Sequence, residues 1–438
     1  MSRAPKTVKG TRDLLPPESA VWAAVEATAR DVFGRYGYRE IRTPIVEETE
    51  LFVRGVGAST DIVGKEMYTF ADKKGRSLTL RPESTASVAR AFIEHGMHSL
   101  PSPVKLFYLG PQFRYERPQQ GRYRQFHQIG AELIGDPGPW SDAELLLMLL
   151  RFLGELGFSG LTVLLNTLGD EASRAAYREA LVAFLEPHAA ELGEDSRRRL
   201  ATNPLRILDT KVEAERGLLA AAPALAEHLN DDSRRHFAAV TALLDRFGVD
   251  YRIEPRLVRG LDYYTRTVFE IAAAGLGAQD AICGGGRYDR LISDLGGPEV
   301  PGIGFAIGED RLIDVLPAAF RDAVGGGAEA YVVPVGEVGP EESVALAEEL
   351  RAAGVATVAE LASRSLSAGL KRAGRAGARW VALLGEAELA AGTVTVKDFA
   401  SGEQRTVPRA EAAARVAEST AEARRLSAVG TTTRTTGG

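Results

Sequence analysis

The segment FRYERPQQGRYRQFHQIGAELIG, residues 113–135, predicts the architecture of the first three hundred residues. Two runs with strand-like alternation, KLFYLGPQFRYE and RYRQFHQIGAELIG, are joined by the polar loop RPQQG, a pattern typical of an antiparallel hairpin. Side chains alternate between the two faces of a strand, so every second residue of the latter run shares one face. That face carries Arg122, Arg124, Phe126, Gln128, Gly130 and Glu132. We therefore expect an antiparallel sheet with one face lined for a ligand. The alternative for the charged residues alone is a solvated, ion-paired hairpin.

The rest of the chain predicts two further kinds of structure. With 438 residues the chain is too long for one compact core. Residues from about 170 to 248 have a helical pattern throughout and separate strand-rich stretches, so they are interpreted as a helical insertion. The Gly-rich stretch at 321–329 is the main predicted boundary, after which strands and helices alternate as in a small α/β domain. We predict an α+β first domain over 1–325, an α/β domain over 329–425 and a disordered tail over 426–438.

Composition excludes several classes of protein. The net charge is −6, so no global basic field attracts nucleic acid, although a local basic patch remains possible. The single cysteine, Cys283, cannot form an intramolecular disulfide and is interpreted as a small apolar filler. No signal-length apolar stretch begins the chain and no run of about 18 apolar residues occurs, so we expect a soluble cytoplasmic protein with no membrane partner.

Common cofactor and metal motifs are missing from the sequence. It contains no GxxxxGK[ST], no GxGxxG after a strand, no HExxH, no CxxC and no GxSxG. We therefore predict no dedicated protein metal site and no serine-hydrolase triad.

Three segments begin helices with polar residues. In LTLRPESTASVAR, residues 78–90, Glu83 follows Arg81 and the pair Ser84–Thr85 is a candidate helix cap. Taken alone, this segment is explained better by a plain helix N-terminus than by a ligand site. The helix SDAELLLMLLRFLGELG has Ser141 or Asp142 as its candidate cap. In GIGFAIGEDRLIDVL, residues 302–316, a strand enters a helix with a cation in the first turn, which favours an anionic ligand or else a local ion pair.

Two other segments combine glycine, arginine and tyrosine. In CGGGRYDRL, residues 283–291, three glycines permit close approach of the backbone to a ligand, but a plain turn is equally consistent. The stretch RLVRGLDYYTRTVFEI, residues 256–271, is interpreted as a strand carrying Arg259, Tyr263 and Tyr264. A bare core strand would not carry so many polar groups.

Seven segments in order resemble the histidyl-tRNA synthetase family of class II aminoacyl-tRNA synthetases, over roughly residues 8–425. They are GTRDLLPPE, TDIVGKEMYTF, TLRPESTA, FRYERPQQGRYRQFHQIGAE, LVRGLDYYTRTVFE, GGGRYD and PGIGFAIGEDRL. The resemblance implies a class II catalytic domain, built on an antiparallel sheet flanked by helices, with the helical insertion and a C-terminal anticodon-binding domain. It also implies a homodimer formed through IRTPIVEE, and the substrates L-histidine, ATP with Mg²⁺, and tRNA(His).

The resemblance also implies roles for individual residues. Arg259 and Arg114 match the catalytic arginines on the histidine carboxylate and the α-phosphate. The residues implied for histidine are Glu83, Thr85, Arg114, Gln128, Glu132, Arg259, Tyr263, Tyr264 and Tyr288. The residues implied for ATP are Arg114, Glu116, Phe126 and Arg311, with Phe126 on the adenine and Arg311 on the γ-phosphate. Since a carboxylate is already ionised at neutral pH, positioning and charge neutralisation would supply the catalysis.

The chain departs from the family pattern at two places, and one alternative stays open. Gln120 stands where many relatives carry lysine, and RSLSAGLKRAG is less basic than usual. The alternative is a non-catalytic paralogue that acts as regulatory subunit of ATP phosphoribosyltransferase. Such paralogues keep the fold but typically lose the histidine motifs and the anticodon domain, both of which this chain retains.

Overall fold

The computed structural model describes residues 4–58, 60–119, 121–210, 212–273, 281–324, 327–362 and 365–432. Contacts divide the chain into two compact units. Unit 1 is Met1–Leu15 with Trp22–Phe320, and unit 2 is Pro16–Val21 with Arg321–Gly438. The expected Lys-to-Gln departure at Gln120 lies outside the described residues.

Unit 1 is built on two sheets whose strands come from widely separated parts of the chain. In chain order the strands are β1 Arg39–Glu40, β2 Val46–Glu48, β3 Tyr68–Ala71, β4 Ser77–Leu80, β5 Val104–Phe113, β6 Gln125–Ile134, β7 Leu161–Thr167, β8 Tyr251–Ile253, β9 Thr265–Ala273, β10 Ala281–Arg287 and β11 Gly302–Gly308.

The large sheet has the strand order β1-β5-β6-β11-β10-β9-β7-β8. All of its inner pairs are antiparallel, and only the outermost pairs, β1 with β5 and β7 with β8, are parallel. The strands β2, β4 and β3 form a separate antiparallel sheet. The hairpin at 113–135 is confirmed, and the α+β class with it.

The segment 256–271 is only partly a strand, which corrects the sequence interpretation. Strand β9 begins at Thr265, and residues 256–264 form an irregular loop. The amide of Asn166 on β7 holds this loop, because its Nδ2 donates to the carbonyls of Pro255 and Leu257 at 3.2 and 3.0 Å. Loop residues can present several polar groups to one side, whereas a strand would send alternate side chains to opposite faces. The crowding of polar residues therefore reflects a loop laid over the sheet.

The helices of unit 1 cover the sheets and form the insertion. They are α1 Glu18–Arg35, which begins among the unit 2 residues, α2 Thr49–Val56, α3 Thr85–Glu94, α4 Pro139–Glu155, α5 Glu171–Leu185, α6 Glu194–Thr202, α7 Glu213–Leu219, α8 Asp231–Arg246, α9 Leu291–Asp294 and α10 Glu309–Asp314, followed by α11 Ala318–Ala323 at the boundary. Phe33 of α1 packs edge-on against Phe107, Phe305 and Phe152, with ring centroids 5.4 to 5.8 Å apart. These aromatic contacts join α1, α4 and the large sheet into one core.

A buried polar network ties the insertion to the large sheet. Asp142 of α4 accepts hydrogen bonds from His236 Nε2 of α8 at 2.8 Å, from Thr267 Oγ1 at 2.6 Å and from Arg287 Nε at 3.0 Å. Burial alone would raise the pKa of Asp142, but the Arg287 guanidinium and these hydrogen bonds hold it below the usual value. The predicted cap at Ser141 or Asp142 is wrong: α4 begins at Pro139, so both residues lie inside the helix, and Asp142 faces the network.

Unit 2 is a small α/β layer structure. Its elements are β12 Ala330–Pro334, α12 Pro340–Ala352, β13 Thr357–Ala359, α13 Leu366–Arg375, β14 Trp380–Leu384, α14 Glu386–Ala391, β15 Thr393–Asp398, β16 Gln404–Pro408 and α15 Arg409–Thr432. The sheet order is β13-β12-β14-β15-β16, with parallel pairs where helices cross over and antiparallel pairs at the closing hairpin.

The C-terminal end differs from the sequence expectation of a disordered tail over 426–438. Helix α15 continues to Thr432, so residues 426–432 are helical, while 433–438 lie outside the described residues. The stretch before residue 430 is rich in alanine, glutamate, arginine and leucine, which have high helix propensity.

Candidate active site

One cavity of 470 Å³ in unit 1 collects the twelve residues that the family resemblance implies for histidine and ATP. Its wall comes from the loop before α3, the β5–β6 hairpin, the 256–264 loop, β10 and the start of α10. Residues from widely separated parts of the sequence therefore meet at one place. The lining includes Glu83, Thr85, Arg114, Glu116, Phe126, Gln128, Glu132, Arg259, Tyr263, Tyr264, Tyr288 and Arg311.

Glu132 is the centre of a buried cluster of hydroxyl groups at one end of the cavity. Its Oε1 accepts from Thr85 Oγ1 at 2.8 Å and from the Tyr108 hydroxyl at 3.4 Å, and its Oε2 accepts from the Tyr288 hydroxyl at 2.6 Å. The carboxylate folds over Gly304, where an added Cβ would lie 1.7 Å from Oε2. Burial raises the pKa of Glu132 to about 8, because no cation compensates its charge. An N–H donor or a cationic group would relieve this cost.

Glu83 caps helix α3, a role that the sequence analysis had given to Ser84 and Thr85. Its Oε2 accepts from the Thr85 backbone N–H at 2.7 Å and its Oε1 from that of Ala86 at 2.9 Å. The Ser84 side chain makes no capping bond and instead accepts from Gln112 Nε2 at 2.7 Å. The longer glutamate side chain reaches the first-turn N–H groups from one residue further out, so the Thr85 hydroxyl can donate to Glu132 instead. Burial raises the pKa of Glu83, although these N–H donors oppose the shift.

Gln128 presents an unpaired polar atom to the same part of the cavity. The residue is buried, and within the described residues its Oε1 has no hydrogen-bond partner. Leaving a buried acceptor unpaired costs about 1–3 kcal/mol. A bound donor such as an ammonium group would recover that energy.

Arg259 lies flat against strand β10, next to a carboxylate. An added Cβ at Gly284 would lie 2.5 Å from Arg259 Nη1 and 2.6 Å from its Cζ, so only glycine leaves room for the guanidinium. Nη1 donates to Glu270 of β9, whereas the buried Nε has no partner among the described residues. Gly286 likewise leaves room for the Tyr264 ring, because an added Cβ at position 286 would lie 2.9 Å from Tyr264 Cδ1. Gly284 and Gly286 thus leave room for Arg259 and Tyr264, and the run of three glycines is part of strand β10 rather than a plain turn.

Two tyrosines of the loop form the side wall. The rings of Tyr263 and Tyr264 have centroids 4.7 Å apart, and the ring of Tyr288 lies edge-on to Tyr263 at 5.7 Å. Burial raises the pKa of each of these hydroxyl groups, so they stay protonated and can donate.

The opposite end of the cavity carries positive charge. Arg114 donates through Nε to the Pro82 carbonyl at 2.9 Å and lies 5.3 Å from the centre of the Phe126 ring. Arg122 pairs with Glu116 at 3.2 Å. Burial, with Arg122 nearby, lowers the pKa of Arg311, so an anion placed here would be favoured electrostatically.

Two features of the hairpin differ from the sequence prediction. Gly130, on the face predicted to be lined for a ligand, is covered by the Tyr108 ring, which an added Cβ would approach within 2.3 Å. Arg124 lies outside strand β6 and does not line the cavity; its guanidinium stacks 3.8 Å above the Tyr115 ring. Tyr108 was missed, although the symmetric pairing of the predicted hairpin places it opposite Gly130.

Cys283 lines the cavity but has the properties of an apolar group. It is buried, and burial raises the pKa of its thiol, so the reactive thiolate is disfavoured. The described part of the chain contains no group of three or more His, Cys, Asp or Glu side chains arranged for a metal ion. It also contains no helix long and apolar enough to cross a membrane.

Comparison with known sequences finds matches over nearly the whole chain. Residues 10–312 match the family described as histidyl-tRNA synthetase, and residues 329–419 match the anticodon binding domain. A histidine–tRNA ligase of Nitratidesulfovibrio vulgaris (strain DP4) is 51% identical over 95% of this chain and 99% of its own length. The histidine–tRNA ligase of Geobacillus sp. (strain WCH70) is 49% identical over 91% of this chain and 96% of its own length.

Comparison with solved structures agrees. Apo histidyl-tRNA synthetase of S. aureus has a TM-score of 0.79 at 37% identity, covering 94% of this chain and all of that chain. A structure titled ATP phosphoribosyltransferase regulatory subunit/histidyl-tRNA synthetase, from Bacillus halodurans C, has a TM-score of 0.63 at 23% identity. It covers 88% of this chain and 99% of that chain, and its likeness concerns the fold alone.

Proposed function

The chain belongs to the histidyl-tRNA synthetase family, and from that premise we propose how its cavity carries out the family's reaction. The protein is an aminoacyl-tRNA synthetase that uses ATP to attach histidine to tRNA(His). The observation that supports our assignment of its site is one cavity with a buried carboxylate cluster at one end and arginines at the other.

The Glu132 end recognises the imidazole of histidine. Glu132 accepts from one ring nitrogen, and the Tyr264 hydroxyl serves the other side of the ring. Thr85 and Tyr288 fix the Glu132 carboxylate through the hydrogen bonds described above. An apolar isostere would leave these buried groups unpaired, which costs about 1–3 kcal/mol for each group. The pocket therefore selects histidine against side chains of similar size.

The ammonium group of histidine lies near Glu83, Gln128 and Tyr263. Gln128 Oε1, which is buried without a partner in the described chain, accepts one of its N–H bonds. This contact orients the carboxylate of histidine towards Arg259 and Arg114.

The arginine end holds ATP and neutralises the charge that develops on it. Phe126 stacks on adenine, with Glu116 near the amino group, and Arg311 contacts the γ-phosphate. The histidine carboxylate attacks the α-phosphorus, a histidyl-adenylate bond forms, and pyrophosphate leaves. The nucleophile is already ionised, so no base is required, and Arg259 and Arg114 contribute by positioning and electrostatics. The ribose hydroxyl at the tRNA 3′ end then displaces AMP.

Mg²⁺ accompanies ATP in this proposal. Mg²⁺ usually retains several waters and binds substrate phosphates with one or two carboxylates. The lack of a three-ligand cluster in the described residues fits an ion held mainly by phosphate oxygens and water.

Unit 2 supplies the contact with the other end of the tRNA. Residues 329–419 match an anticodon binding domain, and we assign them to the anticodon of tRNA(His). The predicted limits of this domain at 329–425 stay a prediction.

We also propose that the protein is a cytoplasmic homodimer. Ile45, Val46 and Phe70 are 40–45% exposed on or beside the three-stranded sheet, within or near the segment that the family uses for dimerisation. Exposed apolar groups on one small sheet are typical of an interface. Sedimentation analysis should give twice the 47.0 kDa chain mass; a monomer at micromolar concentration would contradict this part of the proposal.

The regulatory-subunit alternative is not favoured. The chain keeps all twelve predicted site residues in one cavity and has a match to the anticodon binding domain. A solely regulatory protein would need neither.

ATP–pyrophosphate exchange with each amino acid in turn tests the assignment. We expect exchange with histidine only, and a loss of about 10²- to 10³-fold in Arg259→Ala, since removing one preorganised donor at the developing charge costs that much. Equal exchange in Arg259→Ala would show that the catalytic residues are assigned wrongly. No exchange with any amino acid in the folded wild type would contradict the cavity's proposed role.

A further inference from the structure

Glu270 is a cavity residue to which neither the sequence motifs nor the proposed reaction gives a role. It lies on strand β9, which pairs on both sides: its partners across the ladder are Gly284 of β10 and Leu164 of β7. Its backbone is therefore fixed by two neighbouring strands in the middle of the large sheet. Its side chain lines the same cavity as Arg259 and Arg311.

Arg259, by contrast, comes from the irregular loop, and its side chain interacts with Glu270 and with Tyr264. The loop is tied to β7 through the side-chain amide of Asn166, which donates to two loop carbonyls, and nothing in that contact fixes the direction of the guanidinium. The guanidinium rests on Gly284, which limits its height above the sheet. Glu270 accepts from Nη1 and Tyr264 makes a further side-chain hydrogen bond, so Glu270 supplies the charge-assisted contact that fixes the rotation of the guanidinium.

We propose that Glu270 is a positioning residue that orients Arg259 for adenylate formation; the inference rests on the proposed function. The carboxylate holds one corner of the planar guanidinium. The buried Nε, which has no partner among the described residues, stays available for the incoming anions. The arginine is thus oriented before the substrates bind, and its rotational freedom is not lost at the moment of reaction.

A neutral hydrogen-bond acceptor would do this less well. An ionised partner makes a charge-assisted bond that is roughly twice as strong as a neutral one. Glutamine at position 270 keeps the size and one acceptor oxygen but loses the charge. Aspartate keeps the charge on a side chain that is one methylene shorter.

Adenylate formation in a single turnover, with enzyme in excess of ATP, tests the role of Glu270. We expect Glu270→Gln to lower the rate constant by about 10- to 100-fold, since misplacing a catalytic group by about 1 Å has an effect of this order. The KM for histidine and for ATP in steady-state exchange should change less than about 3-fold, because most binding contacts remain. Glu270→Asp should recover part of the lost rate.

A double variant separates positioning from an independent contribution. If Glu270 acts through Arg259, then Arg259→Ala/Glu270→Gln should be no slower than Arg259→Ala, within about 2-fold. Glu155→Gln is the matched control. Glu155 also pairs with an arginine, Arg35, at 2.6 Å, but it lies at the C-terminal end of α4 and does not line the cavity. We expect wild-type rates in this control.

Two results would overturn the inference. One is a further loss in the double variant beyond that of Arg259→Ala. The other is a rate loss in Glu270→Gln that rising Mg²⁺ concentration restores, which would make Glu270 a metal ligand. Equal melting temperatures of Glu270→Gln and wild type would exclude misfolding as the cause. Histidine-dependent exchange by the wild type tests the proposed function separately, so the two failures are distinguishable.

Discussion

Replacing Glu309 by glutamine should stabilise the protein at alkaline pH and leave it unchanged at acid pH. Glu309 begins helix α10 and is fully buried, and both of its carboxyl oxygens lack partners among the described residues. Burial, reinforced by Glu26 and Asp310, raises the pKa of Glu309 to about 9 from the ordinary 4.5. The folded protein therefore keeps this carboxyl protonated at neutral pH.

The sign and size of the effect follow from proton linkage. The folded state binds this proton more tightly than the unfolded state, so stability is fully present below pH 4.5 and is lost as pH rises towards 9. Each pH unit in that interval costs about 1.4 kcal/mol, which gives about 4 kcal/mol at pH 7.5. Glutamine is neutral at every pH and keeps a buried polar group of similar size, so Glu309→Gln removes the pH-dependent loss only.

Calorimetry at several pH values measures this difference. For a unit of about 300 residues, 4 kcal/mol corresponds to a rise in Tm of about 6 °C at pH 7.5. At pH 5 the Tm values of Glu309→Gln and wild type should agree within about 1 °C, because the linkage then amounts to less than about 1 kcal/mol. Glu299→Gln, at an exposed position, serves as control and should follow the wild type throughout. A constant difference between Glu309→Gln and wild type from pH 5 to pH 8 would refute the reasoning.

Two further predictions concern the cavity. Gly284→Ala should reduce histidine-dependent exchange by at least about 10²-fold, because its Cβ would lie 2.5 Å from Arg259 Nη1 and displace the guanidinium. The control Gly34→Ala should stay active, because nothing lies within 4 Å of an added Cβ at that position. Full activity of Gly284→Ala would contradict the close approach. The KM for histidine should fall as pH rises from 7 to 9, because the pKa of Glu132 is raised to about 8 and its ionised form accepts the imidazole N–H. In Glu132→Gln the KM should be about 10-fold higher or more, because a bond to a charged group is lost, and it should no longer fall with pH. An unchanged pH trend in this variant would assign the titration to another group.

The sequence predicted the chemistry of the site better than its local geometry. Arginines, tyrosines and carboxylates in an antiparallel hairpin with a glycine run indicate an anion and a polar ligand, and these residue types do meet in one cavity. Side-chain periodicity also predicted the β5–β6 hairpin, since alternation and a polar loop are local signals. What a residue binds depends on its neighbours in space, and local sequence signals do not predict those neighbours.

Two of three errors, at residues 256–264 and at Asp142, have that physical origin, whereas the error at Ser84 is local. Residues 256–264 have the apolar and aromatic content of a strand, but Asn166 on another strand holds them as a loop. Ser84 has the chemistry of a helix cap, yet Glu83 reaches the N–H groups first. Asp142 was assigned to a helix end because its partners, His236 and Arg287, lie 94 and 145 residues away in sequence. No periodicity or propensity encodes such distant pairs.

The buried bond between His236 and Asp142 has a consequence for protein engineering. The insertion between β7 and β8 resembles a cassette that could be exchanged with that of a relative, because both ends of it leave from one edge of the sheet. A graft that brought a different side chain to position 236 would leave the Asp142 carboxylate with one donor fewer in a dry interior, at a cost of about 1–3 kcal/mol. The unit to be transferred is therefore larger than the helices themselves. An exchange should keep His236 of the insertion together with Asp142, Thr267 and Arg287 of the recipient scaffold.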